Sequence, residues 1–179
     1  LSFYSYEDLK IVMFTNEENQ SHWEYLKYLN HSFADDLRIR FFSNCTEDAK
    51  SISEYLNIEV KKRLQLSTSN NSSNPKPHYL IITDDYSMIK NFDYIKEIEE
   101  AEKNIGFSLL IIEQKLGKLP SKCSNFITLN QNISGILQNS YEEQEQLEFK
   151  DEINNTINMM EVARICSNVP IELESESAA

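Results

Sequence analysis

Two adjacent carboxylates, Asp84 and Asp85, close the run His78-Tyr-Leu-Ile-Ile-Thr-Asp-Asp85. Apolar and β-branched residues leading to a pair of acids read as a buried parallel strand that delivers both carboxyls at its C-terminal end. A Walker B strand presents a magnesium-side carboxylate and a catalytic acid in this way, so Asp84 and Asp85 are candidates for a nucleotide and Mg2+ site. The plainer reading is a cap or turn at a strand end, where aspartate is common. The other half of a phosphate-handling signature is missing. A phosphate loop needs glycines so that backbone N–H groups can wrap the phosphates, and a lysine for the β- and γ-phosphates. The three glycines, Gly106, Gly117 and Gly135, cannot build G-x-x-x-x-G-K-[ST]. Gly117-Lys118 is followed by Leu119 and has Ile112 where the first glycine should be. The segment Thr15-Asn-Glu-Glu-Asn-Gln-Ser21 carries two glutamates that would repel a triphosphate. No catalytic residue is therefore assigned, and ATP hydrolysis by this domain alone is disfavoured.

Other chemistry-bearing residues are sparser. His22, His31 and His78 lie in separate segments without ligand spacing. Cys45, Cys123 and Cys166 lack CxxC or CxxH spacing and fit reduced thiols, so no metal site is expected. Trp23, Tyr25, Tyr28 and Phe33 are aromatic and close in sequence. Core packing is the favoured reading for them, with partner docking by Trp23, Tyr28 and His31 as the functional alternative.

The elements that must position the acids follow from periodicity. Leu9 to Thr15 is a first strand, and Asn16 can cap a helix running through Trp23 to Leu29 with Trp23, Leu26 and Asn30 on one face. Asp35-Asp36 turn the chain into a second strand, Leu37 to Ser43, alternating Leu37, Ile39 and Phe41 against Arg38 and Arg40. Thr46 caps a helix whose buried stripe is Ala49, Ile52, Ser53, Leu56, Val60 and Leu64. Leu66 to Pro77 is a low-complexity loop before the acid-bearing strand. Asp93 caps a helix over Tyr94 to Lys103, and Phe107 to Ile112 is a fourth strand. Asn125 to Leu129 reads as a fifth strand and Ser134 to Gln138 as a short further one. Ile153 and Ile157 lead into a last helix, Met160 to Cys166, stopped before Pro170. Strands alternating with helices, with apolar central strands, predict an α/β domain. Its expected form is three layers around a mainly parallel sheet, Rossmann or P-loop-NTPase-like and degenerate. Ligands of such sheets sit at the carboxyl ends of the strands, where Thr15, Ser43, Asp84, Asp85 and Glu113 fall.

At 179 residues the chain is sized for one domain, expected over 1–173, with 174–179 a polar tail or the start of a linker. Beginning at Leu1, it reads as a piece of a longer protein. A net charge of -12 argues against a nucleic-acid partner, because binding a phosphate backbone relies on Lys and Arg displacing counterions. No stretch approaches the roughly 18 apolar residues of a membrane span, so the fragment is expected to be soluble.

Three segments together resemble a known family. Trp23-Glu-Tyr-Leu-Lys-Tyr-Leu-Asn-His31 resembles W-x-x-x-K-W-L-P-H, Tyr79-Leu-Ile-Ile-Thr-Asp-Asp85 its strand-plus-acid element, and Met160-Glu-Val-Ala-Arg-Ile-Cys-Ser-Asn-Val-Pro170 its Y-E-x-A-[KR]-x-x-[AS]-N-I-P end. The family is the FtsK/SpoIIIE-type ATPase of type VII secretion, EssC in Firmicutes and EccC in mycobacteria. The resembling part is the ATPase-like domain of unknown function between the transmembrane helices and the first motor domain, matched from about Leu9 to Leu173. Tyr28 stands for Trp, Asn30 for Pro and Met160 for Tyr; the first two loosen the helix end at His31 and any docking role there. The resemblance implies a membrane-anchored parent at the cytoplasmic face of the cell membrane, with ATP and Mg2+ used by later motor domains. This domain would need no cofactor of its own. Its implied partners are the neighbouring motor domain, other subunits of the secretion complex and further copies of the parent. A cryptic ATPase, completed in trans by a neighbour and using Asp84 and Asp85, is the enzymatic alternative. A receiver-like Mg2+ module ranks last, because its acid pair would have to follow the first strand.

Overall fold

The computed structural model describes residues 4–34, 38–68, 75–123, 125–129, 134–139, 146–150 and 158–167. The Asp35-Asp36 turn, Leu37, much of the low-complexity loop, Ile153, Ile157, Pro170 and the tail lie outside them. The chain divides into two compact units, Leu1–Glu113 with Met159–Ala179, and Gln114–Asn158.

The first unit holds a parallel sheet of four strands in the order β2-β1-β3-β4, with β1 Leu9–Phe14, β2 Phe42–Ser43, β3 His78–Thr83 and β4 Phe107–Ile111. Helices α2 (Thr46–Thr68) and α3 (Asp93–Glu100) cover one face. There Val12, Phe14, Tyr79, Ile81 and Phe107 pack against Ile52, Leu56, Tyr94 and Ile95. The stripe predicted for α2 is buried, and Leu64 packs at its edge. On the opposite face, Ile11, Met13 and Phe42 meet Leu26, Leu29 and Ala163 of α4 (Met159–Ser167). The three-layer, parallel α/β architecture expected from the sequence is thus present in this unit.

Three local differences have physical causes. The helix expected over Trp23 to Leu29 is one α-turn, α1 (Gln20–Trp23), running into 3-10 turns at Glu24–Tyr28 and Asn30–Ser32. Trp23, Leu26 and Leu29 face the core at a spacing of three, the period of a 3-10 helix, rather than through Asn30. The second strand pairs with β1 only at Phe42 and Ser43. Just before it the backbone turns back on its own upstream segment, Ala34 N–H donating to Ile39 O at 2.9 Å and Phe41 N–H to Ser32 O at 2.7 Å.

The fifth strand does not extend the parallel sheet. In the second unit, β5 (Asn125–Leu129), β6 (Ser134–Asn139) and β7 (Gln146–Lys150) form an antiparallel sheet in the order β5-β6-β7. Only residues 130–133 separate β5 from β6. A parallel crossover takes about a dozen residues or more, so so short a link enforces a hairpin. β7 is a strand beyond the six expected from the sequence.

At the amino edge of the parallel sheet, the buried Arg63 of α2 ties the layers together. Its Nε donates to Glu59 Oε1 at 2.8 Å, Nη1 to Ile105 O at 3.2 Å and Gly106 O at 3.3 Å, and Nη2 to Pro77 O at 2.8 Å. Its guanidinium lies 4.9 Å from the Tyr79 ring centre and 5.0 Å from that of Phe107. Gly106 sits at φ +76°, the left-handed region, directly against Arg63 and the Pro75 carbonyl.

Candidate functional site

In-register parallel pairing sets where the strands end together. Phe14 aligns with both Ser43 and Thr83, and Thr83 with Ile111. Thr15 and Asp84, each one residue beyond its strand, therefore arrive side by side at the carboxyl edge. Thr15, Ser43 and Thr83 are fully buried there, a row of three hydroxyls at the strand tips. Such groups need partners to offset lost hydration. Ser43 Oγ donates to Cys45 O at 2.7 Å, and Thr83 Oγ1 accepts from Asp85 N–H at 3.0 Å.

Asp84 is the hub. Its Oδ2 accepts from Trp23 Nε1 at 2.8 Å and from Thr15 Oγ1 at 3.1 Å. The tryptophan bond spans 61 residues of sequence and lies in the length range of charge-assisted contacts. Asp84 Oδ1 is buried without a hydrogen-bond partner among the described residues. Asp85 behaves differently: one carboxyl oxygen accepts from Ser87 Oγ in the turn that follows. The acid pair thus separates into one carboxylate bound across the sheet edge and one bound within its own turn.

The segment after β1 is where a phosphate cradle would need free N–H groups. Here Asn16 takes two of them: its Oδ1 accepts from Asn19 N–H at 3.0 Å and its O from Gln20 N–H at 3.0 Å. Glu17 and Glu18 are exposed on the same turn. Asn44, just past β2, donates from Nδ2 to Gln20 Oε1 and ties this turn to the neighbouring strand end. Two of the turn's N–H groups are thus engaged internally, and its two exposed glutamates would repel a triphosphate. Among the described residues, no group of three His, Cys, Asp or Glu side chains could hold a metal ion.

The docking candidates fall in different surroundings. Trp23 is half-buried with its indole N–H directed at Asp84. His31 is buried, its Nε2 2.8 Å from Tyr4 O. Tyr28 is exposed, with the Arg164 guanidinium of α4 5.5 Å from its ring centre. The structure brings Trp23 to the acid pair and Tyr28 to α4. The Trp23–Asp84 bond carries no local signal, because neither spacing nor composition links positions 61 residues apart.

Comparisons with known proteins agree with the resemblance. No family model matches the chain. It is similar to the type VII secretion system protein EssC of Staphylococcus aureus, 23% identical over 172 residues, covering 94% of this chain and 12% of that protein. It is also similar to the ESX secretion system protein EccC of Geobacillus thermodenitrificans, 28% identical over 117 residues, covering 63% of this chain and 8% of that one. The chain is a relative of the EssC/EccC secretion proteins. It spans about a tenth of their length. A solved structure of EssC, comprising ATPases 2 and 3 from Geobacillus thermodenitrificans, matches 97% of the chain with a TM-score of 0.61 at 10% identity, and is covered to 39%. That likeness is one of fold. No helix of the described residues is long and apolar enough to cross a membrane.

Proposed function

We propose that the chain is a non-hydrolysing, ATPase-like coupling domain of a type VII secretion protein, joining a membrane-anchored part to motor domains of the same parent. The observation that carries this reading is the Trp23 indole on Asp84 Oδ2 at 2.8 Å. The acid that would serve Mg2+ is instead a structural acceptor, and the turn after β1 gives two of its N–H groups, those of Asn19 and Gln20, to Asn16. ATP and Mg2+ then belong to the motor domains. The partners are the neighbouring motor domain, other subunits of the complex and copies of the parent, at the cytoplasmic face of the membrane. An exposed apolar side of α4, with Val162 and Ile165, fits a domain that packs against a neighbour.

Calorimetry and turnover assays on the isolated domain test the reading. The expected result is neither Mg-ATP binding nor phosphate release. Micromolar Mg-ATP binding with steady hydrolysis that Asp85→Asn abolishes overturns it. A cryptic ATPase completed in trans remains the second reading, on one observation: the buried Asp84 Oδ1 has no hydrogen-bond partner among the described residues.

A further inference from the structure

β2 is an edge of the parallel sheet, and a cavity of about 390 Å3 opens beside it. That volume lies within the range of ligand sites, roughly 300–1,000 Å3. The chain at and just before the short strand β2 forms one wall, with Arg38, Ile39, Arg40, Phe42 and Asn44. Helix α2 forms the other, with Asp48, Ser51 and Ile52 at the i, i+3, i+4 spacing of one helix face. Lys27 completes the rim from the opposite layer. Because α2 covers one sheet face and the Lys27 turn the other, the cavity wraps around the sheet edge.

Its charge runs against that of the molecule. The chain carries -12, with 29 acids to 17 Lys and Arg, yet among the described residues three cations and a single carboxylate line this cavity. Two of the cations are supported by rings: Lys27 Nζ lies 4.6 Å from the centre of Phe42, and the Arg40 guanidinium 5.0 Å from that of Phe33. Lys27 also meets Glu24 at 3.3 Å on the helical-turn side. Ile39, Phe42 and Ile52 add an apolar floor.

We propose that this cavity docks an extended acidic peptide from another domain or chain, laid along the β2 edge. Its carboxylates face Lys27, Arg38 and Arg40, and an apolar side chain enters among Ile39, Phe42 and Ile52. A sheet edge is a template for strand addition, with alternate side-chain pockets setting specificity. A free phosphate fits less well: it is best held by backbone N–H groups at a helix N-terminus, and the first turn of α2 carries Glu47 and Asp48. The proposal uses neither Asp84 nor Asp85, so it stands whether or not the domain handles nucleotide.

The test is fluorescence anisotropy with a fluorescein-labelled octapeptide alternating glutamate with leucine or valine. The comparison peptide replaces every glutamate with glutamine, and potassium phosphate serves as competitor. Saturable binding is expected, weaker by on the order of tenfold for the glutamine peptide and for the double variant Arg38→Glu, Arg40→Glu. Both arginines are exposed, and an unchanged far-UV circular dichroism spectrum verifies the fold of the variant. Ser51→Trp, which fills the cavity without changing charge, is expected to abolish binding. No saturable binding to the wild-type chain at peptide concentrations up to about 1 mM overturns the proposal. So does equal affinity for the two peptides, or unchanged binding in both variants. Displacement by phosphate with no discrimination between the peptides also overturns it, leaving an anion site only.

Discussion

Trp23→Phe is the perturbation that bears most sharply on how the acid pair is used. It removes one N–H donor from Asp84 Oδ2 and keeps a ring at the same place, leaving Thr15 Oγ1 at 3.1 Å as the remaining side-chain donor. A hydrogen bond to a charged group contributes about 1.5–3 kcal/mol, and partial exposure of Trp23 pulls the value toward the lower end. The loss is compounded because Asp84 Oδ1 is already without a hydrogen-bond partner among the described residues. A double-mutant cycle of wild type, Trp23→Phe, Asp84→Ala and the double variant isolates the pair. We expect a coupling free energy of about 1–2 kcal/mol. Urea unfolding followed by far-UV circular dichroism is the assay, since Trp23 is the sole tryptophan and fluorescence would vanish with it. Additivity of the two single substitutions within about 0.3 kcal/mol would refute the structural role assigned to Asp84.

Further outcomes follow from the same structure. Arg63→Met takes the buried donor from three carbonyls and leaves Glu59 with only the exposed Lys62 at 3.4 Å, and should cost about 3 kcal/mol in the same unfolding assay; Arg63→Lys should recover only part, lacking the planar fork. Gly106→Ala forces an L side chain into φ +76° and sets its Cβ 2.9 Å from Pro75 O, for a loss of at least about 1–2 kcal/mol. Burial, and then the Arg63 charge, hold His78 below the usual histidine range. Its folded-state contribution is therefore full above about pH 6.5 and falls as the pH drops through and below that value; His78→Gln should flatten this slope in unfolding curves. Burial pushes the Tyr94 hydroxyl above its ordinary range, so stability is full below about pH 10 and is lost as pH rises further. Tyr94→Phe should blunt that alkaline loss in a melting series.

The sequence carried the parallel α/β pattern because α2 and the central strands are strongly periodic. Ala49, Ile52, Leu56 and Val60 repeat at helical spacing, and β3 is apolar between its two neighbours. It misled where two periods compete over few residues. Trp23, Leu26 and Leu29 satisfy a spacing of three as well as part of a 3.6-residue face, and the structure takes the tighter winding. Arg63 was hidden among charged neighbours on α2, although Gly106, one of only three glycines, marked the close approach it makes. Of the acid-pair environment, glycine scarcity and Glu17-Glu18 were legible in advance. The Trp23 and Thr15 bonds to Asp84 were not, because each joins segments that only the folded sheet brings together. The basic cavity beside β2 was equally invisible, since Lys27 and Arg40 meet only through tertiary packing.

ATP turnover by this domain joined to the motor domains of its parent tests the central claim most directly. If neither carboxylate acts on nucleotide, as proposed, Asp84→Asn and Asp85→Asn should leave the steady-state rate of phosphate release unchanged. A loss of turnover in either variant, with folding intact by circular dichroism, would contradict the account and establish an active site completed in trans.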